Sequence, residues 1–236
     1  MTDKTVEIPV QGGDGNFSGY LALPPSGAAG PGILLIQEIF GVNEHIRSVA
    51  QQYALDGYVV FAPDLFWRLE PGVQLGYEGA DRDHAVSLMQ KMDFGKAVED
   101  LRSAVETLRA RPECQGTVTS VGFCMGGLLS YFCGVEGFVD ASVCYYPGGI
   151  ANHLDKADRL EVPILFHFAA QDGHIPLDQV QQTRDAFSGH ENANVFLYEG
   201  VEHGFNCWAR KSYDQHASAL AHGRSLTFIE GVREWE

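Results

Sequence analysis

Short apolar runs separated by longer helical patterns constrain this chain more than any other feature. Ile33-Leu34-Leu35-Ile36 and Val59-Val60-Phe61-Ala62 are apolar without alternation, which marks strands buried on both faces. Further strand signals fall at 117–121, 139–145, 162–170 and 194–198. Helical spacing lies between them. Residues 43–56 place Ile46, Val49, Ala50 and Tyr53 on one face, with Asn43 as N-cap and Gly57 just past the end. Helices also fit 80–111, ended by Pro112, then 125–134, 177–188 and 212–230. Strands alternating with helices build a parallel sheet covered by helices. The opening differs: 5–10 and 17–23 are joined by Gly12-Gly13-Asp14-Gly15, an antiparallel hairpin at a sheet edge. The expected fold class is therefore α/β, a single doubly wound domain over 1–236 with about eight mostly parallel strands and helices on both faces. The aromatic, Pro/Gly-rich segment 63–79 reads as a surface loop whose Phe66, Trp67 and Tyr77 either line a pocket or cover the core.

Composition narrows the possible partners. The 236 residues are 45% apolar and 20% charged, ordinary for a chain that buries a core. The net charge of −15 repels polyanions, so nucleic acid is not an expected partner. Five cysteines, at 114, 124, 133, 144 and 207, are odd in number and include no Cys-x-x-Cys pair, which disfavours a disulfide framework or a zinc knuckle. No His-Glu-x-x-His or EF-hand string occurs, so no metal is expected. Residues 1–15 lack the apolar centre of a secretory signal, and apolar stretches fall far short of the roughly 18 residues that cross a membrane. The expectation is a cytoplasmic protein with reduced thiols and no membrane partner.

The chemistry concentrates where a strand runs into Gly122-Phe123-Cys124-Met125-Gly126-Gly127 and then into a helix. This is the G-x-nucleophile-x-G elbow with Cys in the nucleophile's place. With 27 glycines in the chain the string alone is unsurprising; its strand–turn–helix setting gives it weight. Free N–H groups and the helix dipole at such a turn favour a thiolate. In the α/β-hydrolase order an acid and then a histidine follow the nucleophile. Asp172 lies just beyond the strand 162–170, and His203 lies on a glycine-bounded loop after 194–198. His174 shares that edge, but as the near neighbour of Asp172 it is poorly placed to stand between Asp172 and Cys124. Asp172 also has a plain reading as a turn residue bonding its own backbone.

Taken together, Gln37-Glu38-Ile39-Phe40-Gly41-Val42-Asn43, Ala62-Pro63-Asp64-Leu65-Phe66, the Cys124 elbow and the Asp172 and His203 loops resemble the dienelactone hydrolase (carboxymethylenebutenolidase) family over about residues 5–232. The resemblance implies a cysteine-dependent hydrolase that opens the ester of a dienelactone to maleylacetate in aromatic catabolism, with no cofactor. It implies Cys124 as nucleophile, His203 as base, Asp172 as its orienting acid and Glu38 as a carboxylate that helps generate the thiolate. Backbone N–H groups of Met125 and Ile39 would hold the oxyanion, and Arg82 would bind the carboxylate of a small anionic lactone. A second family arginine would fall at Cys207, and Arg210 could replace it only if the loop folds differently. The competing readings are a carboxylesterase or thioesterase for another small ester or lactone, a non-catalytic α/β-hydrolase-fold binding protein, and a redox-sensing thiol protein. Oligomeric state is not legible.

Overall fold

The hairpin expected near the N-terminus forms one edge of the sheet in the computed structural model, which describes residues 4–10, 12, 13 and 15–233. Strands β1 (Lys4–Pro9) and β2 (Asn16–Ala22) pair antiparallel, Ile8 opposite Phe17. Gly12, Gly13 and Gly15 turn the chain at positive φ, and Val10 N–H closes the loop on the Gly15 carbonyl at 3.1 Å. Asp14 of the expected turn lies outside the described residues. Along the sheet the strand order is β1-β2-β4-β3-β5-β6-β7-β8; β2 pairs antiparallel with β4, whereas β3–β4, β6–β7 and β7–β8 are parallel. This matches the expected eight-stranded, mostly parallel α/β architecture. No helix among the described residues is long and apolar enough to cross a membrane.

By contact density the chain divides into two units, Met1–Thr119 and Ser120–Glu236. The first holds β3 (Gly30–Ile36), α1 (Glu44–Leu55), β4 (Val59–Pro63), α2 (Gly79–Lys91) and α3 (Phe94–Arg109). The apolar runs of β3 and β4 are buried throughout from Ile33 to Ile36 and from Val59 to Pro63. Asn43 caps α1 by accepting the Ile46 N–H at 3.3 Å, and Gly57 follows at φ +102°, as the spacing requires.

One expectation is corrected here. Residues 80–111 are two helices, because Met92 is extended and Asp93 starts a new helix by accepting the Lys96 N–H at 3.1 Å. An aspartate offered to a free N–H outcompetes helix continuation. Loop 63–79 covers the core of its unit. Phe66 is buried, Trp67 stacks on Phe17 at 5.1 Å, and Tyr77 packs on Phe40 and accepts a hydrogen bond from Asn43. Asp100 of α3 ties that loop down: it accepts Trp67 Nε1 at 2.8 Å and two bonds from Arg68 at 3.0 and 2.8 Å.

Strand β5 (Cys114–Phe123) crosses the division and leads into α4 (Met125–Val135). Then come β6 (Ala141–Tyr145), a 3₁₀ helix (Ile150–Arg159) that hydrophobic spacing did not reveal, β7 (Ile164–Ala169), α5 (Leu177–Ala186), β8 (Ala193–Tyr198) and α6 (Gln215–Arg233). Buried hydroxyls stitch the helices to the strands. Ser120 meets Ser130 at 2.8 Å and Ser142 at 3.0 Å, and a Cβ on Gly134 would fall 2.8 Å from the Ser142 hydroxyl. His167 bonds Tyr198 and Ser225 from its two nitrogens, tying β7 to β8 and α6. Burial, aided by the Arg224 charge, pushes His167 down to about 3, so it sits in the core as a neutral ring.

Candidate active site

A nucleophile elbow needs a backbone that ordinary residues avoid. Cys124 adopts φ 54°, ψ −116°, between the end of β5 and the first residue of α4. Such a conformation costs on the order of 1–3 kcal/mol and persists only where neighbours over-determine it. Here they do. The Cys124 N–H donates to the Tyr145 carbonyl at 3.0 Å, while its own carbonyl accepts Gly127 and Leu128 N–H groups at 2.9 and 3.3 Å. A Cβ on Gly122 would collide with the Gly126 carbonyl, and one on Gly127 would lie 2.6 Å from the Tyr145 oxygen. The glycines therefore let α4 close onto the strand ends with the half-buried Cys124 at the bend. Met125, as the first helical residue, presents an N–H of the kind that has no intrahelical acceptor.

The acid and the histidine meet as the chain order requires. The buried Asp172, in the loop after β7, accepts His174 and Ile175 N–H groups on Oδ1 at 2.8 and 3.1 Å. Its Oδ2 accepts the proton on His203 Nδ1 at 2.7 Å. Both readings of Asp172 thus hold together: the backbone bonds fix the carboxylate, and its second oxygen orients the imidazole. Burial works against charging the His203 ring, but the charge of Cys124 and the hydrogen bond to Asp172 outweigh it and hold His203 up at about 10. Nε2 has no fully formed hydrogen bond among the described residues, yet Cys124 raises the ring both through its charge and as a hydrogen-bonding neighbour. Such contacts often tighten only when substrate is bound.

Neighbours that sequence spacing undervalued surround this ring. The exposed His174, set aside as a competitor, packs edge-on against His203 with centroids 5.0 Å apart. The buried Tyr146, just past β6, lies 4.9 Å from it. The run Tyr145-Tyr146-Pro147-Gly148-Gly149 at a strand end was the available signal. After His203 the chain coils in successive turns, Cys207 N–H to Gly204 carbonyl and Arg210 N–H to Cys207 carbonyl, at 2.9 and 3.0 Å. That coil lays the Arg210 guanidinium on Gly204: a Cβ there would fall 2.6 Å from Cζ. Cys207 itself is buried.

The remaining expected residues belong to the first unit. Glu38, two residues past β3, is 1% exposed and so is no solvated loop carboxylate. Gln37 beside it accepts the Leu65 N–H at 3.2 Å. Ile39 is half-buried, and Arg82 is exposed on the first turn of α2.

A mostly parallel sheet whose fifth strand ends in a strained elbow, with an aspartate and a histidine supplied after its last two strands, defines an α/β-hydrolase. Comparison with known proteins narrows the class. The model of the dienelactone hydrolase family matches residues 17–232, and the chain belongs to that family. It is 34% identical over 226 residues to carboxymethylenebutenolidase of Pseudomonas putida, covering 95% of this chain and 96% of that protein. It is 30% identical to carboxymethylenebutenolidase of Pseudomonas sp. strain P51, covering 99% and 97%. Among solved structures, a candidate dienelactone hydrolase of Klebsiella pneumoniae superposes with a TM-score of 0.83 at 26% identity, over 98% of this chain and 99% of that one. The chain is a hydrolase acting on ester or lactone bonds.

Proposed function

We propose that this hydrolase opens the ring ester of a dienelactone to maleylacetate, a step of aromatic catabolism, with Cys124 as nucleophile. The observation that carries the reading is the buried Asp172–His203 bond at 2.7 Å, whose histidine responds to the charge of the elbow cysteine. In the proposed sequence the Cys124 thiolate attacks the lactone carbonyl, and the developing oxyanion takes hydrogen bonds from the Met125 N–H and, on the family pattern, from Ile39. Collapse breaks the ring C–O bond and leaves a thioester, and the freed enolate takes the proton of the His203 imidazolium, giving the enol that tautomerises to the ketone and leaving the ring neutral. Acylation removes the sulfur charge that raises His203. Burial then favours the neutral ring, which takes a proton from water as that water attacks the thioester. The thiolate leaves and the cycle closes.

Glu38 is proposed to help form the thiolate, and Arg82 to bind the substrate carboxylate. Arg210 supports the anionic reading from this chain's own structure, because its guanidinium packs on the residue that follows His203. A guanidinium suits a planar carboxylate. The buried Cys207 at the second arginine's place favours a second reading, another small ester or lactone handled by the same machinery. Five cysteines with no disulfide among the described residues agree with a reducing, cytoplasmic setting.

Ring opening followed by absorbance tests both readings on dienelactone and a neutral aryl ester. Cys124→Ala and His203→Ala should each lose at least about a hundredfold in kcat/KM on both substrates. Arg210→Gln should raise KM for dienelactone and spare the aryl ester. Turnover of the aryl ester alone by the wild type keeps the mechanism and discards the substrate.

A further inference from the structure

Among the described residues two non-glycine residues have positive φ, Cys124 at 54° and Tyr146 at 34°. The elbow accounts for the first; the second has no role in the chemistry above. Tyr146 follows the strand residue whose carbonyl receives the Cys124 N–H, so nucleophile and tyrosine share one corner. Its own N–H donates to the His167 carbonyl of β7 at 2.7 Å, which pins the strained backbone from the other side. The ring is fully buried, with Phe205 5.4 Å away, and stands 4.9 Å from His203 at an interplanar angle of 60°. In unit two, His203 is thus met by Asp172 and His174 from one loop, by Cys124 from the elbow and by Tyr146 from the end of β6.

A non-glycine residue held in a sparsely populated conformation against a reacting ring points to a use for that conformation. We infer that Tyr146 is a positioning residue, whose ring face holds the His203 imidazole in the plane that joins Asp172 to Cys124 and stabilises the imidazolium electrostatically. The negative face of an aromatic ring attracts a cation within about 6 Å of its centroid. Only the ring is required; the hydroxyl is not. The inference rests on the reading of Cys124 and His203 as the reacting pair. The Cys124→Ala assay tests that reading, whereas an NMR titration of His203 in Tyr146 variants is made without turnover.

The test compares Tyr146→Phe, Tyr146→Leu and wild type by aryl-ester kinetics and by NMR titration of His203, with Tyr146→Leu also placed in a His203→Ala background. Tyr146→Leu should lower kcat about tenfold or more with KM changed less than about threefold, since misplacing a reacting group costs rate rather than binding. It should lower the His203 midpoint by about half a pH unit or more. In the His203→Ala background the same substitution should have no further effect on kcat. Tyr146→Phe keeps the ring and should match wild type within about twofold in both readouts. Wild-type kcat and titration in Tyr146→Leu would overturn the inference, as would an equal loss with and without His203. Should Tyr146→Leu not fold, Tyr146→Phe decides alone: a tenfold loss or a displaced titration there contradicts a ring-only role.

Discussion

His203 links the charge of the candidate site to its structure. Its value of about 10 lies above the ordinary 6.5, so the protonated ring contributes stability that is full below about pH 6.5 and is lost as pH rises through about 10. Because the charge on Cys124 is a principal cause that raises it, alkylation of that thiol with iodoacetamide should move the His203 midpoint down by more than about one pH unit in an NMR titration. An unmoved midpoint would show that Asp172 alone sets the ring. Cys124, Asp172 and His203 were legible in the sequence because each stands at a fixed place relative to a strand end. Tyr146 was not, and Arg210 was legible only as a residue whose use depends on the course of its loop. Neither a positive φ at a tyrosine nor the coil that carries Arg210 back onto Gly204 leaves a periodic trace in the residues.

The elbow is where a one-atom change should matter most among the elements. A methyl group at Gly122 would overlap the Gly126 carbonyl, so Gly122→Ala should cost more than about 3 kcal/mol in urea unfolding or abolish folding. A near-neutral result would mean that α4 can shift away from β5. A second element-level lock is Asp100, whose buried carboxylate gathers Trp67 and Arg68. Asp100→Ala should cost about 2–4 kcal/mol, at the lower end because Arg68 is partly exposed to water. Buried strands and the capped α1 were readable from apolar runs, Asn43 and Gly57. The break in 80–111 was not, because neither Met92 nor Asp93 is the Pro or Gly that marks a helix stop in a sequence. The 3₁₀ helix Ile150–Arg159 likewise has too few residues per turn for that spacing to register.

At the scale of the whole molecule, a net charge of −15 opposes the approach of any anion. An anionic lactone should therefore gain kcat/KM as added salt screens the protein's field, from about 0.01 to 0.15 M, while a neutral aryl ester stays level. Parallel salt curves for the two substrates would show that charge plays no part in substrate choice.

The proposed function turns on an acyl-enzyme formed at Cys124. Rapid acid quench of the wild type with an aryl ester, followed by intact-mass and peptide-level mass spectrometry, measures it directly. One acyl group per chain is expected, carried as a thioester on Cys124 and absent from Cys124→Ala. An acyl group on another residue, or full turnover by Cys124→Ala, would contradict it.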